Sequence, residues 1–332
     1  VTVISGTIEK VELPEQVDII VSEWTRGYLL RKSTIESLIY ARDKFLKSGG
    51  ALYPSKCRLY LAPASHTGDE VKMKGPTFEQ KVQDWGEFVD DTKKDYGLDF
   101  SCLSETYMEE AREAYLGVSR DVSIATSEVL APPVCVKEID MLTATVGECS
   151  RIDACSFATR FYPSGSGLGG SARSPNGGRH LTMFVGWHSV HFEGSPANPA
   201  TIKSMWSTGP GGATTELGPR RTEEEELVVE ELAEQERRES NEEEREEGGE
   251  ERPWGRLGRQ ASWLVYPPLP LSGAGDQALR FSFAMPGPMA TPRRKSGEGS
   301  ESRLYNITLV YSVGPVATAE ESTQHFSLRY QG

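Results

Sequence analysis

In residues 1–62, short apolar runs alternate with one amphipathic segment. Val17–Val21 is a nearly continuous apolar run of the kind found in buried parallel strands. Thr34–Leu46 carries apolar residues at helical spacing, which predicts a helix that faces a sheet and ends at Gly49-Gly50. Further short strands are predicted at Val1–Ile4, Ala51–Tyr53 and Cys57–Ala62. This order of elements is typical of one half of a doubly wound α/β domain.

Beyond residue 76 the pattern changes, first to helix and then to strand. Residues 77–117 are rich in Glu, Ala, Lys and Met, which favours helices. After residue 134 apolar segments are separated by Gly, Pro and Ser turns, which is typical of antiparallel strands. The predicted strands are 134–146, 151–162, 181–192, 260–266, 278–285 and 303–313.

Composition adds that the chain is acidic in one place only. Its 332 residues carry 36 Lys and Arg against 49 Asp and Glu, a formal charge of −13. Residues 220–252 hold sixteen Glu and six Arg, which is −10 of that total. The remaining surface is close to neutral and offers no basic patch for nucleic-acid phosphates. No apolar run approaches the roughly 20 residues of a membrane-spanning helix, so we expect no membrane association.

Cysteine usage indicates an intracellular protein. The five Cys residues are scattered, odd in number and without a C-x-x-C pair, which argues against a disulfide framework and a zinc site. A reducing compartment, cytoplasmic or nuclear, fits this pattern. The chain starts with Val1 in a predicted strand, so we expect it to be a fragment or to lack its natural start.

One acidic residue lies where α/β proteins bind ligands. Glu23 follows the predicted strand Val17–Val21, and open α/β sheets bind ligands beyond the carboxyl ends of their strands. The residue type and position make Glu23 a candidate functional group. The alternative is an ordinary surface glutamate at a strand end.

The segment around Glu23 resembles the protein arginine methyltransferase family. The family's "double-E" loop has the form S-E-W-M-G-Y-x-L-x-x-E-S-M-L and is followed by A-R-D-x-x-L-x-x-G-G. Here the chain has Ser22–Ile35, which begins S-E-W, then Ala41–Asp43 and Leu46–Gly50. Weaker similarities follow in the family's order, at Gly6–Glu9, Leu13-Pro14, Trp85, Tyr96–Leu103, Lys137–Asp140, Phe192–Gly194 and Ser207–Pro210.

The resemblance implies a fold class of α/β plus β. It implies part of a Rossmann-like S-adenosylmethionine-binding domain at residues 1–54 and an antiparallel β-barrel substrate domain at 55–332. Within the second domain it implies a helical dimerisation arm at 84–128 that forms a homodimer or a heterodimer. The composition adds a flexible Gly/Ser-rich loop at 163–179 and an acidic disordered insertion at 216–253, which is a solvated linker or an electrostatic lure for basic substrates.

The resemblance also implies a reaction and its site residues. Family members transfer a methyl group from S-adenosylmethionine to arginine nitrogens of proteins, often in Arg/Gly-rich segments. Glu9 matches the acidic residue that contacts the cofactor's adenine. Glu23 matches one of two carboxylates that clamp the target guanidinium through paired, charge-assisted hydrogen bonds.

Three departures from the family pattern predict impaired activity. Lys32 occupies the position of the second double-E glutamate, and a contact between unit charges about 4 Å apart is worth roughly 4 kcal/mol at an effective dielectric near 20. The T-H-W substrate loop has no His in register, although Trp254 could replace its Trp. The family's glycine-rich first motif would precede Val1. We therefore expect either a weakened methyltransferase or a non-catalytic regulatory or scaffold subunit that pairs with an active one.

Two other motifs do not predict chemistry. Gly165–Gly170 resembles a phosphate-binding loop, but no apolar strand precedes it and no helix follows. His188 and His191 lie three residues apart on a predicted strand, hence on opposite faces, so we expect exposed or core histidines and no shared metal ion.

Overall fold

The structure is a computed structural model that describes most of the chain in ten stretches. The described residues are 2–24, 34–66, 78–163, 179–210, 214–217, 260–271, 277–285, 288–289, 304–314 and 322–328. Within these stretches, no helix combines the length and the apolar character that crossing a membrane requires.

The N-terminal part forms the predicted strand–helix–strand unit, but the strand Val17–Val21 is not buried as its apolar run predicted, because Ile19 is 56% and Val21 77% exposed. Strand β1 (Val17–Val21) pairs in parallel with β2 (Leu46–Tyr53), and helix α1 (Thr34–Phe45) connects them. The prediction of a strand at Val1–Ile4 is wrong for residues 2–4, which form no strand, and Val3 is 89% exposed. Val3 and Ile4 are apolar, but no described strand pairs with them.

Helix α1 joins this unit to the rest of the molecule. Its buried side chains recur at helical spacing: Ile35, Leu38, Ile39, Ala41 and Phe45. The first three belong to the same core cluster as Leu52 of β2. On another side Arg42 donates from Nη1 to the carbonyl oxygens of Met141 (2.9 Å) and Ala144 (2.7 Å). The Arg42 side chain is only 13% exposed, so it connects α1 to a turn about a hundred residues away.

A helical segment follows, as the composition predicted. It consists of α2 (Phe78–Tyr96), a 3-10 turn at 101–103 and α3 (Ser104–Leu116). The Trp85 and Tyr107 rings stack with centroids 4.2 Å apart, and Trp85 Nε1 donates to Ser104 Oγ at 2.8 Å. These contacts hold the two helices together.

The remaining strands form two antiparallel sheets. They are β3 (Lys56–Ala64), β4 (Arg120–Val122), β5 (Val134–Asp140), β6 (Ile152–Arg160), β7 (Arg179–Gly194), β8 (Pro199–Ser207), β9 (Thr214–Leu217), β10 (Gln260–Leu271), β11 (Ala278–Met285), β12 (Pro288–Met289), β13 (Leu304–Gly314) and β14 (Ser322–Leu328). One sheet has the order β4-β10-β7-β3-β5, with β8 on β7 and β9 on β8; the other has the order β12-β13-β11-β6, with β14 on β13. A short helix, α4 (Val146–Cys149), follows β5. This architecture confirms the predicted α/β plus β fold class.

Aromatic side chains fill the space between the two sheets. The ring of Phe184 lies 5.6 Å from that of Phe281 and 5.5 Å from that of Tyr311, and Trp263 lies 6.0 Å from Phe283. Trp187, Trp263, Phe281 and Phe283 are all buried. Phe192 is only partly buried and packs at the edge of the same core.

Two predicted segments lie mostly outside the described residues. Of the Gly/Ser-rich loop predicted at 163–179, residues 164–178 are outside, and so are residues 218–253 of the acidic insertion. Glu216 and Leu217 end β9. The boundary between residues 54 and 55 remains a prediction; β2 ends at Tyr53 and β3 begins at Lys56.

Candidate functional site

The carboxyl end of β1 presents Glu23 at the edge of the parallel strand pair. The Ser22 amide donates to the carbonyl oxygen of Tyr53 at 3.1 Å, which extends the pairing one residue beyond β1. Glu23 comes next, and its side chain is exposed. The residue therefore lies beyond a parallel strand end, the position from which the sequence predicted a function, and its role remains a prediction.

Trp24 fixes the chain immediately after Glu23. Its side chain is 1% exposed and belongs to the core cluster that contains Ile35, Leu38 and Leu52. Glu23 is thus an exposed residue attached to a buried one. This arrangement limits how far the Glu23 backbone can move.

Lys32 lies outside the described residues, in the stretch 25–33. The chain on each side of this stretch is anchored in one place, because Trp24 and Ile35 are buried in the same cluster. Because Lys32 itself is outside the described residues, its place at the second double-E position remains a prediction from the sequence.

Glu9 contacts α1 through its side chain and its backbone. Ser37 Oγ donates to Glu9 Oε1 at 2.6 Å, and the Tyr40 hydroxyl donates to the Glu9 carbonyl oxygen at 3.2 Å. The Ser37 hydrogen bond holds the pKa of Glu9 below its usual value, so the exposed carboxylate is ionised and can only accept hydrogen bonds near neutral pH. Sequence reasoning did not single out Ser37, because its distance from Glu9 depends on how α1 packs.

A polar row on β7 looks catalytic in outline but is buried. Ser189 Oγ lies 3.2 Å from His191 Nε2, and His191 Nδ1 lies 3.6 Å from Glu193 Oε1. Residues two apart on a strand share a face, which explains the alignment. Ser189 is 1% exposed and His191 is 2% exposed, so no substrate carbonyl can reach the hydroxyl. Burial also lowers the pKa of His191, which favours its neutral form.

The other histidine of the predicted pair is also buried. His188 is 3% exposed, and its Nδ1 lies 3.5 Å from Thr208 Oγ1. Both histidines are therefore core residues, one of the two outcomes that the sequence left open. Within the described stretches, no group of three or more His, Cys, Asp or Glu side chains is placed to hold a metal ion.

Gln260 is the first described residue after the stretch 218–259 and lies at the start of the predicted strand 260–266. It begins β10 and is 2% exposed. Its Nε2 donates to the Thr208 carbonyl oxygen at 2.6 Å, and its Oε1 accepts from the Ile124 amide at 2.8 Å. Trp254, the candidate substitute for the T-H-W tryptophan, lies outside the described residues.

Comparison with known proteins gives sequence relatives from one family. Protein arginine N-methyltransferase PRMT10 of Oryza sativa subsp. japonica is 37% identical over 211 residues, which is 63% of this chain and 51% of the relative. PRMT10 of Arabidopsis thaliana is 33% identical over 212 residues, again 63% and 51%. The chain thus spans about half the length of the curated relatives it matches. No family model matches the chain.

Solved structures share the fold. The open conformation of Arabidopsis thaliana protein arginine methyltransferase 10 has a TM-score of 0.64 and 24% identity, covering 98% of this chain and 74% of that one. The Trypanosoma brucei PRMT1 enzyme–prozyme heterotetrameric complex with AdoHcy has a TM-score of 0.55 and 18% identity, covering 99% and 73%. The chain is therefore similar in sequence to protein arginine N-methyltransferases over 63% of its length, and it shares the fold of two solved structures from those enzymes.

Proposed function

We propose that the protein containing this chain transfers methyl groups from S-adenosylmethionine to arginine nitrogens of proteins, and that Lys32 lowers this activity. The proposal depends chiefly on Glu23, an exposed carboxylate at the end of a parallel strand that buried Trp24 anchors. A carboxylate at such an edge can accept two hydrogen bonds from a guanidinium and orient one terminal nitrogen. In this proposal Glu23 binds and positions the substrate and fixes where its positive charge lies.

Glu9 and Ser37 fit the adenine end of S-adenosylmethionine. The exocyclic amino group of adenine is a hydrogen-bond donor, and the ionised Glu9 carboxylate is an acceptor beside the Ser37 hydroxyl. When bound, the cofactor supplies a methyl group activated as a sulfonium. Glu9 would orient the cofactor by accepting from its adenine while its own carboxylate stays fixed to α1.

Lys32 is the residue expected to impair this chemistry. An ammonium cannot accept a hydrogen bond from a guanidinium, and it repels the cation that Glu23 attracts. Lys32, at the proposed position of the second carboxylate, therefore opposes guanidinium binding. In the full-length protein we expect weak methyl transfer that improves when Lys32 is replaced by glutamate.

Methylation of an Arg/Gly-rich peptide by the full-length protein tests this function. We expect Lys32→Glu to raise the rate and Glu23→Gln to abolish it. Lys94→Glu is a matched control, because it makes the same charge change on the exposed surface of α2. Methylation at rates typical of the family without any change would contradict the impairment. A Lys32→Glu variant no faster than Lys94→Glu would show that Lys32 is not the main defect.

A second candidate function is a non-catalytic regulatory or scaffold subunit that pairs with an active methyltransferase. The observation that favours it is an apolar surface on the helical segment, where Phe88 is 48%, Leu98 55% and Leu103 49% exposed. Large apolar side chains left exposed on one helical segment are suited to burial in a protein interface. One solved structure of this fold is itself an enzyme–prozyme complex.

Association and activity measured together separate the two functions. Light scattering of the full-length protein, alone and mixed with an active methyltransferase, would show a homodimer or a heterodimer. We expect a Phe88→Asp, Leu98→Asp double variant to reduce association. A monomer at micromolar concentration that also fails to bind the active enzyme would contradict the subunit function.

A further inference from the structure

A cavity of about 600 Å³ lies where α1 and the start of β2 meet the barrel. Its volume is within the usual range for small-ligand sites. Its apolar walls consist of Leu46, Leu142, Pro196 and Pro199. Its polar groups come from the end of α1, the starts of β2 and β3, and the ends of β5 and β7, so the cavity borders both parts of the fold.

The basic residues that line this cavity are already paired. Lys47 Nζ lies 3.0 Å from Asp18 Oδ1, and Lys56 Nζ lies 3.0 Å from Glu193 Oε2. The Glu193 contact raises the pKa of Lys56, so the pair stays charged. Arg42 donates to two main-chain carbonyls, as described above. An incoming anion would have to displace one of these acceptors.

The Asp140 carboxylate has fewer partners than these basic residues. Its Oδ1 accepts from the Leu142 amide at 3.0 Å. No other hydrogen bond or salt bridge of this carboxylate occurs among the described residues; Lys56, its cross-strand partner on β3, attracts it only at longer range, which leaves Oδ2 available at the end of β5. The exposed Thr143 hydroxyl, which likewise makes no hydrogen bond within the described stretches, is on the same turn and lines the same cavity.

We propose that this cavity binds an arginine side chain of a protein substrate, at a second site away from the methyl-transfer edge. The apolar walls suit the aliphatic part of the side chain, and Asp140 with Thr143 suits the planar, multiply donating guanidinium. The identity of the ligand rests on the proposed function. Leu46 and Lys47 of the cavity lie beside Val17 and Asp18 at the start of β1, whereas Glu23 follows the end of this strand. The six steps from Val17 to Glu23 span about 20 Å in extended chain, so about six extended residues of an Arg/Gly-rich segment can cover that distance.

Binding of a short peptide to the full chain tests the proposal. The probe is acetyl-Gly-Arg-Gly-Gly-amide, compared with the same peptide carrying citrulline, which is nearly isosteric and uncharged. Leucine-selective NMR reports the location, because Leu46 and Leu142 line the cavity. We expect the Leu142 signal to shift with the arginine peptide and about fivefold weaker binding with citrulline.

Variants then separate this site from the methyl-transfer edge. Asp140→Asn keeps an acceptor for the Leu142 amide but removes the charge, and should weaken the arginine-induced Leu142 shift about fivefold. Thr143→Val should also weaken it and removes only an exposed hydroxyl, so it serves if Asp140→Asn fails to fold. Glu23→Gln should leave the Leu142 shift unchanged. Asp153→Asn is the matched control, because its carboxylate is 78% exposed and distant in the sequence.

The Leu142 shift and methyl transfer decide separately on the second site and on the proposed function. A Leu142 shift that responds to citrulline as to arginine, that persists unweakened in Asp140→Asn and Thr143→Val, or that is absent would overturn the second site. Methyl transfer is measured separately. Loss of methyl transfer with an intact Leu142 shift would refute the proposed function and leave the arginine site standing.

Discussion

Replacing Arg42 should uncouple the α/β unit from the barrel. Arg42→Ala removes two hydrogen bonds from a charged donor to the carbonyls of Met141 and Ala144, at 2.9 and 2.7 Å. Hydrogen bonds to charged groups contribute about 1.5–3 kcal/mol each, and water from the adjacent cavity can replace part of this. We therefore expect a loss of about 2–4 kcal/mol in the free energy of unfolding. The ion pair with Asp43 adds little, because that carboxylate is 62% exposed.

Urea unfolding followed by circular dichroism and tryptophan fluorescence measures this loss. Arg42→Lys should recover about half of it, since one ammonium can reach a carbonyl without the fork of the guanidinium. Asp43→Ala is the control and should change stability by less than about 0.5 kcal/mol. An Arg42→Ala variant as stable as the unmodified chain, or an Asp43→Ala variant just as unstable, would refute the reasoning.

Two further predictions concern β7. Burial lowers the pKa of His191, so below its ordinary pKa of about 6.5 the unfolded chain binds a proton that the folded chain does not. The free energy of unfolding should therefore decrease as the pH falls below about 6.5, by up to ~1.4 kcal/mol per pH unit until the lower folded pKa is reached, and it should decrease less steeply in His191→Gln. Thermal unfolding between about pH 8 and about pH 5 measures this, and equal slopes in the two proteins would contradict the prediction. Gly194→Ala should destabilise by more than about 1–2 kcal/mol, because φ is +75° and a Cβ would lie 2.5 Å from the Asn198 carbonyl oxygen. Gly86→Ala, whose Cβ would meet nothing within 4 Å on α2, should instead be slightly stabilising, and a similar loss in both alanine variants would point away from the strained turn.

The sequence predicted elements wherever the apolar pattern was strong. Helix α1 matches the predicted segment Thr34–Leu46 to within one residue, but the prediction that Gly49-Gly50 ends it is wrong, because the helix stops at Phe45 and both glycines lie in β2. Strand β7 extends two residues beyond its prediction at each end. Strands β8 and β14 were missed, because Pro199–Ser207 and Ser322–Leu328 mix polar and apolar residues without clear alternation. The predicted strand 134–146 stops at Asp140, whose side chain accepts from the Leu142 amide and turns the chain. The Thr145–Glu148 capping box that begins α4 was present in the sequence as T-x-x-E.

The sequence predicted only those parts of the candidate site that depend on residues close together in the chain. Glu23 could be identified from the strand Val17–Val21 alone, because a residue that directly follows a parallel strand lies at the edge where such sheets bind ligands. The contact between Ser37 and Glu9 spans 28 residues and depends on packing. The cavity beside Asp140 combines segments from three parts of the chain, and no short pattern indicates it.

The hydrogen bond between Gln260 and Thr208 has a consequence for how this protein can vary. It joins the first residue of β10 to the residue after β8, so the two positions that flank the 51 residues from 209 to 259 lie close together. Joining two fixed points through a longer chain is inexpensive, since each doubling of length costs only about 0.6 kcal/mol. The length of this stretch can therefore change between related proteins while the strand register on either side stays the same.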